Sequence, residues 1–260
     1  MISRHDRQTE NRKLKTENQL PMKIAAVCVT YLRPKQLGWM IRCFLRQDYP
    51  AEQRELVILD DAGQYDNQSG PGWRLASTSR RFATLGEKRN AAVALVGADV
   101  ESLAVWDDDD LYLPWALSAS AAALKRADWS RPALVLHPQS DGSLRQHQTG
   151  GLFHGGWAYR RTLFQAAGGY PAMNNGEDQA LARRFAAAGA EAADPCAAGF
   201  RPFYVYSWSS NGWHLSGMGN EGYRRLGGLR ADKTPLGIVD PPHLDLGNPR
   251  IAPEIHARVF

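Results

Sequence analysis

Short, continuously apolar runs alternate with helical stretches along the first half of this chain, and this alternation restricts the fold more than any other feature. Four runs have the length and composition of strands that are covered on both faces: KIAAVCVTY (23–31), ELVILDD (55–61), SLAVW (102–106) and ALVLH (133–137). Strands that alternate with helices in this way are typical of an open, doubly wound sheet. We therefore predict an α/β fold with a mostly parallel sheet flanked by helices.

Two of the intervening helices carry specific signals. Pro34 suits the first turn of a helix, and the apolar residues after it recur at the spacing of one buried stripe: Leu37, Met40, Ile41, Phe44 and Leu45. Thr84 and Glu87 have the spacing of a capping box, which predicts a helix from about residue 85. The order strand, helix, strand at the start of the chain implies a right-handed parallel unit.

The second half of the chain has a different pattern. Glycines interrupt residues 150–156, and EDQALARRFAAAG (177–189) then predicts a helix that ends at a glycine. FYVYSW (203–208) alternates like a strand. Prolines accumulate from residue 229 and the periodicity disappears, which indicates an extended C-terminal segment.

The net charge of +4 raises the question of a nucleic-acid partner. Residues 1–23 hold six Lys and Arg against three acids, which leaves 25 basic and 24 acidic residues for the rest of the chain. The basic excess therefore belongs to the N-terminal segment, and we predict that 1–22 is a flexible tail that binds no nucleic acid. Since no run approaches the roughly 20 apolar residues of a membrane span, we expect a cytoplasmic protein with at most peripheral contact to the inner membrane face.

Acidic residues follow two of the predicted strands. Asp60 and Asp61 end the second apolar run, and four consecutive aspartates (107–110) follow the third. The carboxyl ends of parallel strands meet at one edge of an open sheet, where ligands bind, and a divalent cation makes crowded carboxylates tolerable. The aspartates therefore predict a Mg²⁺ or Mn²⁺ site. The plainer alternative is a solvated acidic turn that caps the helix after Pro114.

Five segments together resemble glycosyltransferase family 2, whose members have the GT-A fold. They occur in the family's order: CVTYLRP, LVILDDAG, GEKRNAA, WDDDDLYLP and LFQAAGGYPAMNNGEDQALARRFAAAG. The resemblance covers about residues 23–215 and implies a single GT-A type, Rossmann-like domain over 23–228. Within it, 23–137 would be the nucleotide-binding part and 138–228 the acceptor-binding part, followed by a proline-rich extension over 229–260.

The resemblance also implies a set of residues for the sugar nucleotide. These residues are Thr30, Tyr31, Asp60, Asp61, Arg89, Asn90, Asp107 and Asp108. The first four would form the wall of the base pocket, Arg89 and Asn90 would face the nucleotide, and Asp107 or Asp108 would reach the ribose. The plainer alternatives are an exposed helix arginine for Arg89 and edge packing for Tyr31.

A divalent cation, Mn²⁺ or Mg²⁺, is the cofactor that the resemblance implies. Asp107 and Asp109 match the outer acids of the family's D-x-D motif, with Asp109 in direct contact with the metal, whereas Asp110 is interpreted as a capping residue. His214 matches a late histidine that completes the metal shell in related enzymes. The alternative for this residue is a histidine packed beside Trp213 without a metal.

Sugar transfer needs a base that takes the proton of the acceptor hydroxyl. The resemblance assigns this role to Asp178, the second acid of the E-D pair in NGEDQ, with Glu177 beside it in contact with the acceptor. Aromatic residues such as Phe153 and Trp157 would offer a platform to the acceptor sugar. The alternatives are ordinary acids at the start of a helix and ordinary core aromatics.

These features predict a metal-dependent, inverting glycosyltransferase that moves a sugar from a nucleoside-diphosphate sugar, UDP-linked in our prediction, to a hydroxyl of a glycan or glycoconjugate. Its expected role is the synthesis of a bacterial surface polysaccharide. Two other functions stay open. A sugar-nucleotide nucleotidyltransferase normally needs a glycine-rich, basic loop after its first strand, and TYLRPKQLG is poor in glycine. A non-catalytic sugar-nucleotide or glycan-binding module would not need both the D-x-D motif and Asp178.

Overall fold

The computed structural model describes residues 21–207, 232–242 and 244–252. The strands of this part are β1 (Ile24–Thr30), β2 (Arg54–Asp60), β3 (Gln68–Gly70), β4 (Trp73–Ser77), β5 (Ser102–Asp107), β6 (Leu111–Tyr112), β7 (Trp129–Ser130), β8 (Leu134–Pro138), β9 (Leu144–Gln148), β10 (Ala158–Arg160), β11 (Ala192–Ala193) and β12 (Tyr204–Val205). Its α-helices are α1 (Pro34–Leu45), α2 (Leu85–Ala94), α3 (Ala116–Leu124), α4 (Arg161–Ala166) and α5 (Glu177–Ala187). Two 3₁₀ turns lie at Ala51–Gln53 and Cys196–Ala198.

The larger of two sheets has the strand order β11-β7-β10-β5-β1-β2-β4-β3. Its centre, formed by β5, β1, β2 and β4, is parallel, whereas β10 is antiparallel to both of its neighbours. In the register of β1, Thr30 lies opposite Asp60 of β2, and Val29 lies opposite Asp107 of β5. Neighbouring parallel strands therefore bring their last residues, two of them acidic, to one edge of the sheet.

The central strands are apolar throughout because both faces of the sheet are covered. One hydrophobic cluster joins Ile24, Ala26 and Cys28 to α1 and to the smaller sheet. The other joins Ala25 and Val27 to α2 and α5. Alternate residues of β1 thus enter opposite halves of the core, which explains why KIAAVCVTY shows no polar alternation.

The smaller sheet has the strand order β6-β12-β8-β9. The expectation that ALVLH (133–137) continues the parallel sheet is wrong, because β8 pairs with β9 and β12 in this smaller sheet instead. An apolar run fits any strand with two covered faces, so its composition does not specify the sheet that receives it.

The predicted helix starts agree with the structure to within two residues. Pro34 occupies the first turn of α1, and Leu37, Met40, Ile41 and Phe44 are buried. Both hydrogen bonds of the capping box are present between Thr84 and Glu87, at 3.2 and 3.1 Å. The helix expected from Pro114 begins two residues later, at Ala116.

The described C-terminal residues lie against the domain without forming a helix or strand of their own. Asp240 forms ion pairs with Arg42 and Arg46 of α1, at 3.0 and 3.2 Å. Ile251 pairs with Leu144 at the edge of β9. Residues 1–20 of the predicted tail lie outside the described part of the chain. Within the described part, none of the helices has the length and apolar character needed to span a bilayer.

Candidate functional site

The carboxyl ends of β1 and β5 open onto a cavity of about 500 Å³. Its wall is formed by the loop after β1, the aspartates after β5, the first turn of α2 and parts of the segment 149–179, which ends in the first turn of α5. This volume is typical of small-molecule sites. The cavity lies at the edge of the sheet where the sequence predicts ligand binding.

Asp108 and Asp109 both form ion pairs with the guanidinium of Arg33 in the wall of this cavity. Asp108 is buried, and its two carboxylate oxygens accept hydrogen bonds from Thr30 Oγ1 and Arg33 Nη1, each at 2.7 Å. Asp109, whose side chain is 19% exposed, has Oδ2 at 3.0 Å from the same Arg33 nitrogen. Burial, together with the negative charge of Asp108, raises the pKa of Asp109 to about 7. The solvated acidic turn is therefore the wrong alternative for this pair.

Asp110 is not the capping residue that the sequence suggests. Its carboxylate accepts hydrogen bonds from Tyr204 Oη and, at 2.9 Å, from the backbone N–H of Ser207. The following helix has Trp115 at its N-cap and no side-chain capping bond. Through these bonds Asp110 connects the acidic loop, residues 107–110, to β12 and the residues after it. Burial raises the pKa of Asp110 well above the usual carboxyl range.

The acids at the end of β2 are held by the protein and do not line the cavity. Asp60 accepts hydrogen bonds from the backbone N–H groups of Ala62 and Gln64, both at 2.9 Å, and from Ser77 Oγ at 2.7 Å. Asp61 is also buried. The predicted direct contacts of Asp60 and Asp61 with a nucleotide are therefore replaced by a structural role in the loop behind the cavity wall.

Tyr31 and two cations form the part of the cavity wall that lies over Asp61. The guanidinium carbon of Arg81 lies 3.8 Å from the centroid of the Tyr31 ring. Arg81 and Lys88 both form ion pairs with Asp61, and Lys88 Nζ also donates to Thr30 O at 2.6 Å. Burial lowers the pKa of Lys88, against the opposing effect of Asp61. Tyr31 is thus packed at the sheet edge and lines the cavity at once.

Arg89 links the acidic loop to the E-D segment. Its Nη2 lies 3.1 Å from Asp107 Oδ1, and its Nε lies 3.3 Å from Glu177 Oε1. Burial alone would lower the pKa of Arg89, but the charges of Asp107 and Glu177 more than offset this effect, and the net pKa is raised. The guanidinium therefore stays charged. The side chain of Asp107 is 24% exposed and lines the cavity with Arg89. The alternative of an exposed helix arginine is wrong.

Asn90 does not line the cavity, contrary to its predicted contact with the nucleotide. Its side-chain amide donates to Tyr170 O at 2.8 Å and accepts from Tyr170 N–H at 2.9 Å. Asn90 therefore holds the loop before the E-D segment, because position 90 of α2 points toward that loop rather than toward the acids.

The first turn of α2 positions the chain before α5. A Cβ atom at Gly86 would lie 1.8 Å from Pro171 O, so only glycine lets this segment cross α2 so closely. The N–H of Gly86 donates to Met173 O at 3.0 Å, and the N–H of Leu85 donates to Asn174 Oδ1 at 2.9 Å. These contacts bring the sequence NNGED to the cavity.

The two acids of the E-D pair have different surroundings. Gly176, with φ of 74°, turns the chain into α5. Asp178 lines the cavity, and its Oδ1 accepts from the N–H of Gln179 at 2.7 Å. Glu177 is buried against Arg89, and burial raises its pKa, although Arg89 opposes the shift. Glu177 also borders the cavity, but its carboxylate is already paired.

The aromatic residues between 150 and 178 divide between core and cavity. Trp157 is fully buried, with its ring centroid 5.1 Å from both Trp129 and His154, so its predicted contact with an acceptor is wrong. It leads directly into β10, which explains its place in the core. Phe153 and Tyr206 line the cavity instead, with ring centroids 4.9 Å apart in an edge-to-face arrangement.

Several residues of the cavity wall are absent from the sequence-based predictions: Arg33, Arg81, Lys88, His154 and Tyr206. Two of them stand inside the segments CVTYLRP and GEKRNAA, so basic residues next to the predicted acids would have been a usable signal. His154 accepts or donates a hydrogen bond with Tyr170 Oη at 3.1 Å. Burial, with the nearby charge of Arg89, lowers its pKa well below the usual value and keeps it neutral.

The acids of the cavity fit a divalent cation by their donor chemistry. Asp107 and Asp109 both line the cavity and offer carboxylate oxygens, which suit Mg²⁺ or Mn²⁺. No three His, Cys, Asp or Glu side chains of the described residues are arranged to hold a metal ion. Mg²⁺ at a nucleotide usually binds only one or two carboxylates, with waters and phosphates as its other ligands. His214, the predicted third ligand, lies outside the described residues.

Comparison with solved structures supports the same fold. The crystal structure of S. aureus TarS residues 1–349 in complex with UDP-GlcNAc is 17% identical, with a TM-score of 0.54 over 75% of this chain and 61% of that one. The mannosyltransferase PcManGT from Pyrobaculum calidifontis, in complex with GDP-Man and Mn²⁺, is also 17% identical, with a TM-score of 0.53 over 80% of this chain and 66% of that one.

The chain thus spans less than two thirds of the length of these structures. In sequence, no protein-family model and no curated protein matches it. The likeness therefore establishes the fold rather than the activity: the chain has the predicted α/β architecture of GT-A type, a mostly parallel, Rossmann-like sheet flanked by helices, which it shares with a known mannosyltransferase.

Proposed function

We propose that this protein is a metal-dependent, inverting glycosyltransferase of family 2 that transfers a sugar from a UDP-linked donor to a hydroxyl of a glycan or glycoconjugate. The observation that carries the proposal is that one cavity is lined both by the aspartates after β5 and by Asp178 of α5. Transfer needs these two chemistries side by side, a site for the donor diphosphate and a base for the acceptor. The sugar-nucleotide complexes of two fold neighbours are consistent with this assignment.

The donor would occupy the side of the cavity formed by β1 and β5. Thr30 and Tyr31 line this side, and Arg81 and Lys88 supply positive charge beside them. The Tyr31 ring offers an aromatic surface to a base. Cations that are already fixed by Asp61 lose little side-chain entropy when an anion binds, which favours recognition of a diphosphate.

The cation would be held by Asp107 and Asp109, with the donor's phosphates as further ligands. Its chemistry would be that of a Lewis acid, which neutralises the charge that develops on the diphosphate as it leaves. The contribution of the protein is to hold the two carboxylates. Asp107 is oriented by Arg89, and Asp109 lies beside Arg33.

Asp178 is the proposed base. Its carboxylate would take the proton of the acceptor hydroxyl while the hydroxyl oxygen attacks the anomeric carbon. The new glycosidic bond forms as the bond to the diphosphate breaks, and the electron pair of that bond leaves with the diphosphate. Attack from the opposite face inverts the configuration. Arg89 would fix the donor side of the cavity relative to the acceptor side, because it forms ion pairs with both Asp107 and Glu177.

The acceptor would enter past Phe153 and Tyr206. Their edge-to-face rings border the cavity on the side of the smaller sheet, where a sugar ring could pack against an aromatic face. These two residues take the place of Trp157 in the proposal. Leu152, next to Phe153 in the chain, is 68% exposed and also lines the cavity.

Thermal-shift measurements test the donor class. UDP, UDP-GlcNAc, GDP-mannose and ATP would each be added with Mn²⁺ and with EDTA. We expect Mn²⁺-dependent stabilisation by UDP and a UDP-sugar, of about 5 °C at a hundredfold excess over Kd. Preference for ATP, with release of pyrophosphate when a sugar phosphate is added, would favour the nucleotidyltransferase. Binding of a UDP-sugar that no acceptor extract converts to UDP would favour the non-catalytic module.

A further inference from the structure

Arg33 occupies an unusual place among the acids of the cavity. It precedes Pro34, outside the first turn of α1, and its side chain is 15% exposed. One nitrogen, Nη1, lies 2.7 Å from Asp108 Oδ1 and 3.0 Å from Asp109 Oδ2. The nitrogen of Arg33 thus contacts Asp109, one of the two carboxylates that would hold the proposed cation.

A purely structural role does not account for this arrangement. Pro34 starts α1 without a side-chain cap from Arg33, so the helix does not require the guanidinium. Asp108 is held independently by Thr30 Oγ1 at 2.7 Å. Arg33 also lines the cavity, where a long, flexible side chain can change partners without moving the backbone.

Charge makes Arg33 and a divalent cation competitors for Asp109. Two positive centres within a few ångströms repel each other by several kcal/mol even at an effective dielectric constant of about 20. A cation that binds Asp109 therefore weakens the ion pair to Arg33. At the same time, a diphosphate bound to that cation brings new negative oxygens, for which the planar guanidinium is a well-matched, bidentate partner.

We propose that Arg33 is the counter-ion of the donor-free site and that it passes from Asp109 to a phosphate oxygen of the nucleoside diphosphate when the divalent cation binds. This inference rests on the proposed function. It makes Arg33 a donor-binding residue that also keeps a bare cation out of the site until the diphosphate arrives. Cation and donor then bind with positive cooperativity, since each removes the obstacle to the other.

The test uses Arg33→Gln, Arg33→Lys and the matched control Arg42→Gln, which removes a surface arginine paired with Asp240. Two equilibria are measured by calorimetry: Mn²⁺ binding without nucleotide, and UDP binding at saturating Mn²⁺. For Arg33→Gln we expect Mn²⁺ alone to bind about tenfold more tightly and UDP to bind about tenfold more weakly. Arg33→Lys keeps the charge, so its Mn²⁺ affinity should match the wild type while its UDP affinity falls about threefold. Arg42→Gln should match the wild type in both.

The outcomes separate this inference from the proposed function. Unchanged Mn²⁺ affinity in Arg33→Gln, or unchanged UDP affinity beside a wild type that binds UDP, overturns the role of Arg33 alone. If the wild type does not bind UDP at saturating Mn²⁺, the proposed UDP-dependent function fails, and the Mn²⁺ titration still decides whether Arg33 competes with a cation. Should Arg33→Gln not fold, Arg33→Lys decides: UDP affinity equal to the wild type rejects the inference.

Discussion

Two pairs of acids flank β1 at the same edge of the sheet, but only one pair is accessible from the cavity. Asp60 is the last residue of β2 and Asp61 follows it, while Asp107 is the last residue of β5 and Asp109 lies two residues beyond it. Both strands are parallel to β1, and their last residues lie opposite Thr30 and Val29 at its carboxyl end. The first pair is buried behind the wall, and the second pair lines the cavity with side chains that are 24% and 19% exposed.

The difference lies in the donors that the protein itself supplies. Asp60 receives three hydrogen bonds from its own loop and from Ser77, and Asp61 is paired with Arg81 and Lys88. A carboxylate saturated in this way has little left for a ligand. A position at the carboxyl edge is therefore not enough to make an acid functional. We therefore expect the acids that line the cavity to control transfer and binding, and the saturated acids to control stability.

The largest effect is expected at the acid of α5 that faces the cavity. Asp178→Asn removes the proposed base but keeps the shape of the side chain, so transfer should fall on the order of 10³-fold while UDP affinity with Mn²⁺ stays unchanged. Release of UDP from the donor and calorimetric UDP binding measure the two quantities. Asp99→Asn, at an exposed ion pair with Lys23, is the control. Near-normal transfer by Asp178→Asn would show that another group is the base.

The next effect falls on the saturated pair. Asp61→Asn leaves Lys88 and Arg81 without their counter-charge in the interior, and we expect the free energy of unfolding to fall by about 3 kcal/mol. Urea unfolding measures the loss. The double variant Asp61→Asn with Lys88→Met should recover part of the stability, because the buried charge is removed with its partner. If Asp61→Asn is as stable as the wild type, the saturated acids do not control stability.

The sequence predicts much of the frame on which these acids are placed. Continuous apolar runs identify β1, β2 and β5, and the capping box locates the start of α2, because these signals depend on neighbouring residues only. The strand Trp73–Ser77 is too short and mixed to be recognised. The sheet that receives β8 depends on where the chain has travelled after α3, which local sequence does not encode.

The same limit applies to the site. Positions of acids can be read from the sequence, but their partners lie far along the chain: Thr30 and Asp108 are 78 residues apart, and Asn90 and Tyr170 are 80 apart. Phe153 and Trp157 are close in sequence and equally aromatic, yet only tertiary packing makes one a cavity residue and the other a core residue. The chemical type of a side chain is therefore easier to predict from the sequence than whether that side chain reaches the cavity.

A smaller effect should separate the two pairs by metal affinity. Asp107→Asn removes one proposed ligand, and we expect Mn²⁺ affinity in the presence of UDP to fall at least about tenfold. Asp60→Asn is the matched variant at the end of the neighbouring strand, and it should retain the Mn²⁺ affinity of the wild type. Paramagnetic Mn²⁺ titration measures both. Equal losses in the two variants would mean that the acids act through the fold and not through a cation.

The smallest effect concerns stability and has the opposite sign in the two pairs. Asp109 is partly buried and lies beside the charge of Asp108, so Asp109→Asn should raise the free energy of unfolding by about 1 kcal/mol at pH 8 in EDTA, whereas Asp60→Asn should lower it. The unfolded chain loses the Asp109 proton near pH ~4, and the folded protein loses it near pH 7. Wild-type stability therefore falls as the pH rises between these values. Asparagine has no such proton, so the advantage of Asp109→Asn should shrink toward pH 4. Urea unfolding at pH 5 and pH 8 measures this difference, and an equal advantage at both values would rule out the burial of an ionised Asp109 as its cause.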